Sequence, residues 1–350
     1  MAYSDRIKLI KKIEEIRGSQ VICYLTSIRP NLNAQMSEDA VRVFFDHLLL
    51  LPSRPCEKLD IFICSNGGSG TVPWRLVSLF REYAKSFNVL IPYRAYSAAT
   101  LLALGADEIV MHPFAEMGPI DPTVSNDFNP VEVKTGRRLG ISVEDVKAYV
   151  TFIKSTVGIT HEDELIKAIE ILAEKVHPLA LGNVERFLSQ SRMMANKILR
   201  THMKTEDEHI IEEIIENMAS KLYFHGHPIN RVEAIKELKL KVVTELPSAL
   251  ETAMWELYKD YESEFENNVI YNPPGELMAE AIDPNTDVVP PPVRLTQIKK
   301  SSLVASVESS RLSSKCTLEM RFALHAIGAT GEPIIRQDVL SQKWDHSQPS

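Results

Sequence analysis

The chain has 350 residues, a hydrophobic content of 44% and a formal net charge of −8 at pH 7. A chain of this size can bury a large core and carry one main domain with appendages. The acidic balance and the lack of a basic patch argue against a generic nucleic-acid-binding protein. No window approaches the roughly 18 apolar residues of a membrane span, so we expect a cytoplasmic protein without a transmembrane segment.

Strands and helices alternate along the first part of the chain. After a charged, helical N-terminus, short apolar runs predict strands and amphipathic runs predict helices. The predicted strands are 19–27, 59–64, 88–92 and 108–111, and the predicted helices are 37–51, 74–87 and 98–106. This alternation predicts an α/β fold, with a parallel sheet covered by helices and right-handed crossovers.

Two short stretches follow predicted strands at the edge where α/β sheets bind ligands. They are C-S-N-G-G-S-G at 64–70 and A-Y-S-A-A-T at 95–100. Gly67 and Gly68 allow a tight turn that bares backbone N–H groups. Ser97 precedes a helix, whose unpaired N–H groups would favour a serine nucleophile and its oxyanion. Taken singly, each stretch also fits an ordinary turn or helix cap, whereas the pair is more specific.

Together the two stretches resemble the Clp protease/crotonase superfamily, in which a Gly-Gly turn supplies oxyanion donors and a later serine turn supplies the nucleophile. The runs L-G-A-D-E-I-V-M at 104–111 and M-G-P-I at 117–120 are similar to the signal peptide peptidase A branch. The closest resemblance is to the serine dehydrogenase proteinase family, over about Val21 to Val243. It implies a Clp/crotonase-type sheet and a serine peptidase that acts on peptide or protein substrates without a cofactor. It also implies homo-oligomers, trimers or multiples of them, with contacts through the helices after Gly158.

The resemblance assigns a role to each residue of the two turns. Ser97 would attack the peptide carbonyl, the backbone N–H groups of Gly68 and Ala98 would hold the oxyanion, and Gly67 would shape the turn. Clp-type peptidases carry their catalytic histidine at the segment matching 120–122, where this chain has Asp121. The signal peptide peptidase branch uses a lysine base instead, which can act once burial lowers its pKa.

Two lysines are candidates for that base. Lys147 and Lys154 lie seven residues apart in the predicted helix 142–155, so about two turns separate them and they share a face. Lys154 follows the apolar Phe152 and Ile153, which favours a desolvated amine there. Lys147 comes closer to the alignment with archaeal relatives of the family. Both lysines remain candidates for the base, and the alternative for each is that it is an ordinary surface lysine.

Histidines give weaker candidates. His112 fits a capping or surface role, while His225, in the F-H-G-H run at 224–227, resembles the position of the third triad member in Clp-type enzymes. We expect no metal, because His225 and His227 have no nearby cysteine or carboxylate that completes a ligand set. The cysteines show neither metal-ligand nor disulfide spacing and are expected to be free thiols: Cys23, Cys56, Cys64 and Cys316.

These patterns divide the chain into five predicted segments. They are an N-terminal helix (1–18), a Clp/crotonase-like serine peptidase domain (19–265), a Pro-rich linker (266–292), a small β-hairpin-containing module (293–340) and a disordered tail (341–350). The predicted activity is that of a serine-type endopeptidase with a Ser-Lys dyad. The alternatives are a catalytically inactive scaffold or binding protein on the same fold, and an acyl-thioester enzyme of crotonase type, for which a serine nucleophile would be superfluous.

Overall fold

The structure is a computed structural model that describes residues 3–120, 123–124, 127–132, 138–221, 227–281, 294–328 and 333–349. Its α-helices are α1 (Tyr3–Arg17), α2 (Asp39–Leu49), α3 (Val72–Tyr83), α4 (Ala98–Ala103), α5 (Val143–Thr151), α6 (Glu162–Lys175), α7 (Pro178–Leu199), α8 (Glu208–Glu216), α9 (Arg231–Lys236), α10 (Ser248–Glu264) and α11 (Pro273–Ala281). Its strands are β1 (Gln20–Thr26), β2 (Ile28–Arg29), β3 (Leu32–Asn33), β4 (Cys56–Cys64), β5 (Ala84–Ile91), β6 (Arg94–Ala95), β7 (Glu108–Met111), β8 (Glu116–Met117), β9 (Thr123–Val124), β10 (Ile141–Ser142), β11 (Ile229–Asn230), β12 (Gln297–Ser309), β13 (Ser313–Ile327) and β14 (Pro333–Ser347).

The chain forms two compact units. One comprises Met1–Asn66, Glu82–Ser86 and Glu245–Ser350, and the other comprises Gly67–Arg81 and Phe87–Thr244. Helices and parallel strand pairs occur together, so the predicted α/β fold class is confirmed, and with it the strand-rich C-terminal region. These units group residues 245–350 with the N-terminal 66 residues, a different division from the five segments predicted along the sequence.

In the first unit the strands run in the order β14-β13-β12-β1-β4. β1 and β4 are parallel, with Ile22 opposite Ile61, whereas β1 and β12 are antiparallel, with Tyr24 opposite Val307. Every residue of β1 after Gln20 is buried, which explains its continuous apolar sequence. The predicted C-terminal hairpin is present as β12 and β13, and it extends the sheet of β1 through β12.

The C-terminal region differs from the sequence expectation in two places. Residues 341–347, predicted as a disordered tail, continue β14 and pair with β13 as far as Ser347. The physical reason is Trp344, which packs against a buried apolar cluster and donates its indole N–H to Asp39 at 2.8 Å. Within the predicted linker, α11 begins at Pro273, a helix position where proline loses no hydrogen bond.

The second unit contains the βα alternation that carries both sequence turns. β5 and β7 pair in parallel, with Leu90 opposite Val110, and β6 and β8 pair in parallel, with Ala95 opposite Met117. All six residues of α4 are buried. Its three alanines explain why this helix packs closely in the core, as its Ala- and Leu-rich sequence predicts.

A buried ion cluster joins distant parts of the first unit. The Arg6 guanidinium of α1 is fully buried and donates to Glu308 of β12 at 2.8 and 3.1 Å and to Asp260 of α10 at 2.6 Å. Tyr261 also donates its hydroxyl to Glu308, at 2.7 Å. Because each buried charge is paired, the cluster fixes α1 and α10 to the sheet, and losing one member would leave the others uncompensated.

We predict that Arg6→Met destabilises the protein by about 3 to 5 kcal/mol, because it leaves Glu308 and Asp260 buried without their cation. The matched control is Lys8→Met on the same helix. The exposed Lys8 side chain pairs with Asp5, and its loss should cost under ~1 kcal/mol. Urea unfolding measures both. Equal urea midpoints for the two variants would contradict the stabilising role of the ion cluster.

A second prediction concerns His47 of α2, which is buried between the hydroxyls of Ser309 and Ser314 at 3.2 and 3.0 Å. Burial lowers its pKa from 6.5 to about 4. The folded protein therefore keeps His47 neutral, while the unfolded chain binds a proton there below pH 6.5. Stability is full above pH 6.5 and falls as the pH drops towards 4, by about 3 kcal/mol for this group.

Urea unfolding across that pH range should show a shallower loss of stability in His47→Gln than in the parent. His209→Gln is the control, since the His209 side chain is exposed, and it should keep the parent slope. If His47→Gln loses stability with falling pH as steeply as the parent, another group causes the pH dependence.

Candidate active site

The two turns singled out in the sequence meet in the second unit. A β-carbon built on Gly67 would lie 2.6 Å from the Tyr96 carbonyl oxygen, 2.8 Å from Ser97 Cβ and 2.9 Å from the Ala98 nitrogen. Gly67 is buried and has φ +95°, a conformation that favours glycine. No other residue can therefore occupy this position without moving the Ser97 backbone.

Ser97 is held in a strained conformation at the start of α4. Its φ of +52° with ψ of −112° is unusual for a residue with a β-carbon, and a conformation of this kind costs about 1 to 3 kcal/mol. The Ser97 side chain is half-buried and makes no capping hydrogen bond to α4. Observed strain of this kind is typical of functional sites, and it occurs here in the residue at the N-terminal end of α4.

The two predicted backbone donors, Ala98 and Gly68, adjoin the contact between Gly67 and Ser97. Ala98 is the first residue of α4, a position whose N–H has no partner within the helix. Gly68, half-buried, follows the glycine that touches Ser97. The structure thus brings together four of the predicted site residues: Ser97, Gly67, Gly68 and Ala98.

A hydrogen-bonded frame that the sequence did not predict supports the Ser97 turn. The buried Thr100 hydroxyl lies 2.7 Å from the Ala95 carbonyl oxygen and 2.8 Å from that of Gly118. Gly118 N–H donates to the same Ala95 carbonyl at 3.0 Å. Thr100 stands in the A-Y-S-A-A-T run, three residues after Ser97, so its place on the next helical turn was the available signal.

The Tyr96 ring forms the other side of this frame. Its hydroxyl donates to Glu116 at 2.7 Å, and Glu116 also accepts from Arg94 at 3.0 Å. A β-carbon on Gly118 would lie 2.9 Å from the Tyr96 ring, so the ring packs flush on that glycine. Burial and the hydrogen bond to Glu116 raise the pKa of Tyr96, which keeps the phenol neutral as a donor.

A family model described as ClpP-like SDH-type serine proteinase matches residues 1–156, a span that includes both turns and the frame. Over these residues the chain is similar to the ClpP-like SDH-type serine proteinases. The predicted family resemblance is confirmed over these residues.

Two relatives from Methanocaldococcus jannaschii are uncharacterized proteins. MJ1495 is 26% identical over 252 residues, which cover 69% of this chain and 73% of the relative. MJ0137 is 24% identical over 265 residues, covering 73% of this chain and 78% of the relative.

Two solved structures are also similar to this chain. The 1510-N membrane-bound stomatin-specific protease is 15% identical with a TM-score of 0.34, covering 67% of this chain and 85% of that one. ClpP1 from Listeria monocytogenes is 12% identical with a TM-score of 0.35, covering 69% and 97%. Among the helices that the structure describes, none has the length and apolar character needed to cross a bilayer.

Both candidate lysines are exposed. Lys147 lies on α5, and Lys154 lies in a single π-helical turn, Phe152–Thr156, that follows it. The π-turn carries an i→i+5 hydrogen bond, so the predicted sharing of one face over two regular turns does not hold. The neighbouring Ile153 lines an apolar cavity, while the Lys154 side chain is exposed at its rim. Which lysine acts as base stays a prediction.

The histidines occupy structural positions where the structure describes them. His112 accepts the Phe114 N–H on Nδ1 at 3.1 Å and is buried, which agrees with the capping role. His227 lies 2.7 Å from Glu233 through Nε2. Asp121 and His225 lie outside the described residues. Within the described part of the chain, no group of three or more His, Cys, Asp or Glu side chains could hold a metal ion.

We predict that Gly67→Ala destabilises the protein by about 2 kcal/mol or more, because its β-carbon would meet the Tyr96 carbonyl and the backbone would be strained at positive φ. Gly70→Ala in the same turn is the control, since a β-carbon there meets nothing within 4 Å. Urea unfolding compares the two. If both variants unfold like the parent, the two turns do not touch as described.

Proposed function

We propose that this protein is a serine peptidase that cleaves peptide bonds through an acyl-enzyme on Ser97. The observation that carries the proposal is the contact between the buried Gly67 turn and the strained Ser97 at the start of α4. This arrangement supplies a nucleophile whose hydroxyl is not used as a cap, beside backbone N–H groups that suit an oxyanion. The proteinase family matched by residues 1–156 supports the same chemistry.

In the proposed reaction, Ser97 Oγ attacks the carbonyl carbon while a neutral lysine amine takes its proton. The N–H groups of Gly68 and Ala98 hold the negative oxygen of the tetrahedral intermediate, and each such donor contributes about 3 to 4 kcal/mol in the transition state. The intermediate then expels the amine, which leaves with the proton from the lysine. Water, deprotonated by the same lysine, hydrolyses the acyl-enzyme and restores the Ser97 hydroxyl.

Lys154 or Lys147 is the proposed base. The proposed substrate of the enzyme is a peptide or protein. We also propose that the protein is a cytoplasmic homo-oligomer, a trimer or a multiple of three, that uses no cofactor and binds no nucleic acid. Both lysines are exposed in the single chain, whereas a lysine base requires burial that desolvates its amine. That exposure favours the second candidate function, a scaffold or binding protein that keeps the nucleophile turn without a competent base.

A fluorophosphonate probe separates the two candidates. A peptidase should become labelled on Ser97, lose the label in Ser97→Ala and keep it in Ser69→Ala, a serine of the neighbouring glycine turn. An absence of labelling from pH 6 to 10 would contradict the peptidase and support the scaffold.

Labelling rates then identify the base. Replacing the lysine that acts as base should slow labelling about 10²- to 10⁴-fold. Replacing the other lysine of the same segment is the matched control and should leave the rate unchanged. We expect Lys154→Ala to be the slow variant and Lys147→Ala to label normally, and the reverse result would assign Lys147. Unchanged rates in the double variant would contradict a lysine base.

A further inference from the structure

A cavity of about 300 Å³ lies within the second unit, at the opposite end of α4 from Ser97. Its lining comes from the turn after α4, from β7, from α8 and the residues between α7 and α8, and from the segment 239–241. These residues are distinct from the active-site residues that the structure describes. The volume is at the lower end of the range for small-molecule sites, so the cavity suits a small ligand.

One wall of this cavity is aliphatic. Its side chains are branched, and all of them are buried: Leu104, Ile109, Leu199, Ile214 and Leu240. A wall of this kind gives close van der Waals contact to a branched aliphatic group of a ligand, and it removes the apolar surface of that group from water.

His202 adds an unused hydrogen-bonding group to the lining. Its Nδ1 is buried and has no hydrogen-bond partner among the described residues. Burial, and next the charge of Arg81, lower the pKa of His202 to about 4, so the ring is neutral at physiological pH. A buried polar atom of a native protein normally has a partner. The imidazole therefore indicates a hydrogen bond that the described part of the chain does not supply.

Charges of both signs also line the cavity. Two of them are already engaged: Asp107 pairs with Arg81 at 2.7 Å, and Lys239 donates to the Lys236 carbonyl at 2.7 Å. The other two are Asp207 and Lys241.

Asp207 and Lys241 lie on the same side of the cavity as the imidazole. Lys241 lowers the pKa of His202 and Asp207 raises it, so both charges are close to that ring. Asp207 accepts the Lys204 N–H at 3.1 Å, and a carboxylate can accept further hydrogen bonds. The polar side of the cavity thus offers one carboxylate and one ammonium group. A ligand with a single charge would satisfy one of these groups, whereas a zwitterion satisfies both.

We propose that this cavity binds a free α-amino acid with a branched aliphatic side chain, such as leucine. The ammonium group of the ligand pairs with Asp207, its carboxylate pairs with Lys241, and its side chain packs on the aliphatic wall. His202 donates to the carboxylate or to a water molecule bound beside it. The proposal stands whether or not Ser97 is catalytic.

Isothermal titration calorimetry of the full chain with L-leucine tests the ligand class. Leucine should bind with a stoichiometry of one per chain. L-leucinamide lacks the carboxylate, N-acetyl-L-leucine lacks the ammonium group and glycine lacks the side chain, so each should bind about tenfold or more weakly. Titrations of Ser97→Ala exclude turnover at the proposed catalytic serine.

Two results would overturn the ligand class. If leucine does not bind, the cavity holds water only. If N-acetyl-L-leucine or L-leucinamide binds as tightly as leucine, the site does not recognise a zwitterion.

Substitutions locate the bound leucine. Asp207→Asn and Lys241→Met should each weaken leucine binding about tenfold, because each removes one charge from the site. Asn keeps an acceptor for the Lys204 N–H, and Lys241 is exposed, so both variants should fold. The matched controls are Glu206→Gln and Lys236→Met, whose exposed side chains lie outside the lining and which should bind leucine like the parent.

Combining variants with analogues assigns each end of the ligand. Asp207→Asn should leave the affinity for N-acetyl-L-leucine unchanged, because that analogue has no ammonium group to lose its partner. Lys241→Met should likewise leave the affinity for L-leucinamide unchanged. Unchanged leucine binding in both variants would place leucine elsewhere on the protein and overturn the proposal.

Discussion

The candidate site depends on one close approach, that of Gly67 to the backbone of Tyr96, Ser97 and Ala98. Because even a methyl group on Gly67 would collide there, the turn after β4 and the turn before α4 are held in close contact at Ser97. The contact brings the Gly67 turn against the backbone on both sides of Ser97. Everything proposed for function follows from this contact, since neither turn alone would distinguish a reactive serine from a helix cap.

The strain at Ser97 needs support from its surroundings, and the structure supplies it through hydrogen bonds rather than through the serine itself. Thr100 ties the carbonyls of Ala95 and Gly118, while Tyr96 is held by Glu116. These bonds fix the residues on both sides of Ser97, so the unfavourable backbone angle is over-determined by its neighbours. The Ser97 hydroxyl itself makes no capping hydrogen bond to α4.

The sequence was sufficient for the parts of the fold and site that depend on local pattern. The strand-turn-helix order, the glycine pair and Ser97 are all predictable from the sequence, because apolar periodicity and turn chemistry depend on neighbouring residues. What could not be predicted depends on distant contacts. The polar residues of β14 are ordered by pairing with β13 and by Trp344, and the π-turn at Lys154 has no local signal. The role of Thr100 likewise depends on Gly118, eighteen residues away.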